Sequence, residues 1–99
     1  MKVILEIANH HNCNACWNAN PGEPDENGSI RSAWDMIGKW VRSVHIHDLF
    51  DPYPYRELFG LLAKSGYGDR FTMVEMGATS DPERVLMYYR RLWEELQPG

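Results

Sequence analysis

Two short runs in the chain alternate apolar and polar residues with the period of a strand, and longer runs with the period of a helix flank them. In the stretch from Val41 to Leu49, Val44 and Ile46 share one face, while Ser43, His45 and His47 share the other. The stretch from Phe71 to Gly77 repeats the arrangement, with Val74 and Met76 on the apolar face and Met73 and Glu75 opposite them. Ahead of the first strand, Ile30, Ala33, Trp34, Ile37 and Val41 fall at helical spacing, with Ser29 as the expected N-cap. After it, Asp51, Pro52, Tyr53 and Pro54 turn the chain into a second helix. Its stripe is Tyr55, Leu58, Phe59 and Leu62, and its stop is Gly66. Ser80 and Glu83 are spaced as a capping box around Pro82 and announce a last helix that buries Val85, Tyr89, Leu92 and Leu96.

The N-terminal stretch is less determinate. Val3 to Ala8 fits either a strand or the last turns of a helix, because a short apolar run does not decide between them. Asn9 to Asn12 ends it, Cys13 to Asn18 reads as a short buried strand, and residues 19–28 hold the Pro, Gly, Asp, Glu and Asn content of a loop. Strand and helix thus alternate three times within one domain spanning residues 1–99. That order predicts an α/β fold with a parallel sheet and right-handed crossovers. Three such units cannot close an eight-stranded barrel, which takes at least about 200 residues. The expectation is a small open sheet or part of something larger.

A strand covered by helices on both sides should be apolar on both faces, so the imidazoles of His45 and His47 and the carboxylate of Glu75 call for a reason. His and Glu from neighbouring strands make a pair of ligands for a divalent metal. They equally make a buried His–Glu ion pair, or two polar residues satisfied at strand ends. Cys13 and Cys16 form a C-x-x-C beside His10 and His11. No second ligand pair follows at zinc-finger spacing, and the structure-breaking run from Trp17 to Gly22 stands where a redox motif would open a helix. Both cysteines are therefore expected as small packed residues in a strand.

Composition narrows the function. The net charge of −4 and the absence of a basic run argue against broad nucleic-acid binding. No apolar stretch is long enough to span a bilayer, no secretory leader is evident, and nothing points away from a reducing cytoplasm. No Gly-rich phosphate loop follows a strand, which weakens a dinucleotide-binding reading. Four Trp and five Tyr indicate a packed core.

Several segments together resemble one family. Val44-His45-Ile46-His47-Asp48, then Tyr67-Gly68 and the strand carrying Glu75, are similar to the C-terminal part of the sugar phosphate isomerase/epimerase proteins. These are xylose isomerase-like TIM barrels whose relatives include metal-dependent DNA-repair nucleases. Cys16-Trp17-Asn18-Ala19-Asn20-Pro21 resembles the sixth strand of that barrel. The segments Tyr53 to Leu58, Ser80 to Arg84 and Tyr89 to Trp93 resemble its later helices. The likeness runs over nearly the whole chain and covers about the last three-eighths of the barrel.

The resemblance implies that parallel βα units form part of a TIM (β/α)8 barrel, with Val3 to His10 as the end of the fifth helix. It makes Glu6 a helix-surface residue and Met1 an internal methionine or a start within a longer frame. It implies a divalent metal (Mn, Mg, Zn or Co) held by His45, Glu75 and Asn18, with Glu75 also one of two acid/base carboxylates. Asn18 stands where the family usually has Asp, and a neutral amide oxygen weakens the hold on a hard cation. The other Glu belongs to an earlier strand that these residues do not include. Trp17, His47 and Arg56 would contact the substrate, a sugar or sugar phosphate, although packing or solvated surface accounts for those three as well. With part of the site missing, the isolated chain is expected to be inactive. The alternatives are a non-catalytic assembly fragment that self-associates through exposed sheet edges, and a nuclease-type relative.

Overall fold

The computed structural model describes residues 1–99, the side chain of Asp69 excepted. Its elements run in the order α1 (Lys2–Ala8), β1 (Ala15–Asn18), α2 (Arg31–Ile37), β2 (Val41–Ile46), α3 (Tyr55–Lys64), β3 (Thr72–Val74) and α4 (Pro82–Leu96). Single 3-10 turns, Gly38–Trp40 and Tyr67–Asp69, lead into β2 and toward β3. The strands form one parallel sheet in the order β1-β2-β3, so β2 is central and β1 and β3 each have an outer edge without a strand partner. The α/β fold with a parallel sheet is therefore as the alternation predicts. No helix among the described residues is long and apolar enough to cross a membrane.

One apolar core lies on one side of the sheet. Trp17, Val44 and Ile46 supply the sheet's contribution, and Ile30, Tyr55, Leu58, Phe59, Leu62 and Tyr89 cover it. Val44, Ile46, Ile30 and Leu58 are fully enclosed, as the alternation of β2 and the stripes of the helices require. The register shifts between Ala15 and Cys16, and both Val41 and Val44 end up buried. The opposite face, with Cys16, Asn18, Ser43, His45, Met73 and Glu75, is exposed or half-buried, with no helix over it among the described residues. The polar residues on β2 and β3 thus follow from a face that the helices leave bare.

Several boundaries differ from expectation, each for a local reason. Lys2–Ala8 is helical, and Asn9 closes it in the left-handed region (φ 40°), which Asn tolerates. Ser29 is not the N-cap of α2, which is Ile30; the Glu57 carboxylate accepts from the Ile30 amide (2.7 Å) and the Ser29 hydroxyl (2.8 Å). Val41 belongs to β2 rather than to the helical stripe before it. The cap of α4 is Asp81, not Ser80, and its side chain accepts from the Arg84 amide at 3.3 Å. Cys16 lies on β1 as expected but on the bare face and exposed, while Cys13 precedes the strand half-buried; both are free thiols.

Candidate functional site

Parallel strands bring their C-terminal ends to one side, and on the bare face those ends carry Asn18, His45, His47 and Glu75. The backbone ladder continues past each strand. The Ala19 amide donates to the His45 carbonyl (3.1 Å), and the Glu75 amide donates to the Ile46 carbonyl (2.8 Å). These two bonds fix Asn18 and Glu75 on either side of β2, at the level of its two imidazoles.

His45 Nδ1 lies 3.0 Å from Glu75 Oε2, so Nδ1–H donates to the carboxylate. The pair is present but not buried, since the side chains are 33% and 59% exposed. The His47 backbone is clamped from two helices: its amide donates to the Tyr55 hydroxyl (3.0 Å), and the Tyr89 hydroxyl donates to its carbonyl (2.6 Å). The ring spans the sheet, with Nδ1 at 3.0 Å from the Glu75 carbonyl and Nε2 at 3.0 Å from Asn18 Oδ1. A carbonyl can only accept, so Nδ1 carries a proton. An imidazolium then donates to Asn18 Oδ1 as well, whereas a neutral ring is matched by turning the Asn18 amide.

The four residues therefore form one chain of contacts, Asn18 to His47 to Glu75 to His45. Of the other expected contact residues, Trp17 lies on the opposite, covered face. It is 3% exposed, packs against Trp34, and donates from Nε1 to the Tyr53 hydroxyl at 2.9 Å. Tyr53 in turn donates to Glu23 Oε2 at 2.7 Å, which ties residues 19–28 to the turn before α3. Arg56 is exposed on α3, outside this chain of contacts. Tyr55 and Tyr89 are positioning residues that the apolar stripes announced only as buried. The available signal was the hydroxyl itself, because a buried tyrosine needs a hydrogen-bond partner.

Among the described residues, no group of three or more His, Cys, Asp or Glu side chains is arranged to hold a metal ion. His45 and Glu75 nevertheless fit two adjacent positions on one cation. Their 3.0 Å Nδ1–Oε2 separation is bridged by the Nδ1 proton, so a cation between these two atoms would have to take the place of that proton. Asn18 is turned to His47 instead. The set fits part of a coordination sphere. Comparison of the chain with family models, characterised proteins and solved structures finds no match in any of the three.

Proposed function

We propose that this chain supplies the His and the last-strand Glu of a metal-dependent sugar or sugar phosphate isomerase/epimerase site, as the last three βα units of a (β/α)8 barrel in a reducing cytoplasm. The observation that carries the reading is the convergence of His45 and Glu75, 3.0 Å apart, at the C-terminal strand ends on the face that no helix covers. In a barrel that face is the interior, and those ends line the active site. His45 and Glu75 would hold the cation, whether Mn, Mg, Zn or Co. When bound it polarises a carbonyl as a Lewis acid. Glu75 takes or returns the proton at the carbon beside that carbonyl, which requires a carboxylate at an open position. His47 orients Glu75 through the Glu75 carbonyl and presents an edge for a hydroxyl.

The experiment is calorimetric titration of the 99-residue chain with Mn²⁺, alongside turnover assays on ketose and ketose phosphate panels. Weak binding that disappears in both His45→Ala and Glu75→Gln is the expected result. Turnover by the isolated chain should be near background, since a missing acid or base alone costs about a hundredfold to ten-thousandfold. Binding indifferent to both variants, or robust turnover by the isolated chain, would sink the proposal. A second reading, a non-catalytic assembly module, is favoured by the outer edges of β1 and β3, which have no strand partner.

A further inference from the structure

At the opposite end of the sheet, the turn after α1 and the 3-10 turn before β2 enclose a depression of about 370 Å³. His10, His11, Asn14, Lys39 and Arg42 line it, and no carboxylate does among the described residues. That is notable in a chain with 14 acidic residues and a net charge of −4. The basic groups are held in place. Arg42 Nη1 donates to the carbonyls of Lys39 and Val41, both at 2.9 Å, which leaves the rest of the guanidinium fork for a ligand. The Lys39 ammonium stands 4.4 Å from the centre of the Trp40 ring, and the His10 and His11 rings stack at 4.4 Å.

His10, His11 and the neighbouring Cys13 are also metal-ligand types, and two observations favour an anion over a cation. The Asn12 amide donates to His10 Nδ1 at 3.1 Å, which fixes the tautomer with the proton on Nε2. His10 therefore offers a donor through Nε2 rather than a lone pair. Lys39 and Arg42 line the same depression and repel a metal ion. We propose that the depression is an oxyanion site that takes a phosphate group, through the Arg42 fork, the Lys39 ammonium and the His10 Nε2–H. The ligand is either free phosphate or a small phosphomonoester. The site lies at the N-terminal end of the sheet, on the turn after α1, the 3-10 turn and the start of β2, apart from His45 and Glu75, and does not depend on their function.

The test is a titration of the ¹⁵N-labelled chain with inorganic phosphate and, separately, with methyl phosphate, at ionic strength matched with chloride. Saturable amide shifts confined to residues 9–14 and 39–42 are expected, along with at least about tenfold weaker binding in Lys39→Gln/Arg42→Gln. Arg90→Gln, which removes an exposed charge on α4, should bind as the parent chain does. Equal affinity for both probes would assign the site to the phosphate group alone, and tighter binding of methyl phosphate would assign it to an ester. Shifts that chloride reproduces, shifts that never saturate, or a double variant with undiminished affinity would overturn the proposal. If the double variant loses its folded spectrum, the single Lys39→Gln variant, changed at an exposed side chain, carries the comparison.

Discussion

Four tyrosines do more than fill space. Tyr55 and Tyr89 hold the backbone of His47, Tyr53 joins Trp17 to Glu23, and Tyr67 donates to the Phe71 carbonyl at 2.7 Å at the entry to β3. Burial is the largest cause in each case and pushes all four phenols above the ordinary tyrosine range; at Tyr53 the hydrogen bond to Glu23 adds to it. An acid whose folded value is raised stays neutral in the fold after it has ionised in the unfolded chain. Stability is therefore insensitive to these groups below about pH 10 and falls as pH rises beyond it. In an alkaline titration, phenolate absorbance from these residues should rise together with loss of the circular dichroism signal. Phenolate formation well before the fold is lost would contradict the assignment. At this scale the sequence disclosed part of the site. Alternation alone put His45 and Glu75 on the polar face. The link from His47 to Asn18, 29 residues away, depends on the register between strands, which no local pattern carries.

Between α2 and β2 the chain turns through Gly38, and the packing there admits no side chain. A Cβ on Gly38 would lie 2.5 Å from Trp34 Cε2, while the backbone (φ −54°) would suit any residue. The glycine is needed for the close approach of the indole, which in turn packs on Trp17. Gly38→Ala should destabilise the chain by about 1–3 kcal/mol, as overpacking does, and urea titration followed by tryptophan fluorescence would measure it. A change of no more than a few tenths would show that the indole moves aside freely. The helices after β1 were legible, because stripes such as Tyr55, Leu58, Phe59 and Leu62 reflect one buried face, whereas the short apolar run of Lys2–Ala8 fitted strand and helix alike. The helix ends were less legible. At the start of α2 the Ser29 hydroxyl accepts locally from the Arg31 amide (3.1 Å), but the Ile30 amide donates to Glu57 of α3, a partner 27 residues distant that capping rules based on adjacent residues do not see.

The whole molecule exposes more surface than its mass accounts for. A folded monomer of 11.5 kDa should expose about 5,800 Å², whereas this chain exposes 7102 Å². Its radius of gyration is 14.5 Å, against about 13 Å for a compact chain of this length. The excess of roughly 1,300 Å² on this one chain exceeds the roughly 800 Å² that each partner of a standard-size protein–protein interface buries. Large apolar side chains contribute to the exposed surface: Phe71, Met73 and Val74 on and beside β3, Leu86 and Met87 on α4, and Val3, Ile4 and Ile7 on α1. Edges with unpaired backbone groups and apolar flanks are templates for further strands, whether from a longer chain or from a second copy. The alternation of strands and helices predicted the parallel sheet, whereas its strand count and edges are set by long-range pairing that no local pattern carries. We expect the isolated chain to associate, with a scattering mass above 11.5 kDa that rises with concentration. Replacing Phe71 and Val74, on the β3 edge and 86% and 43% exposed, with Lys should return it to monomer. A parent chain that stays monomeric and melts cooperatively at every concentration would show that the bare face and edges are stable in water and that no further strand is needed to complete the fold.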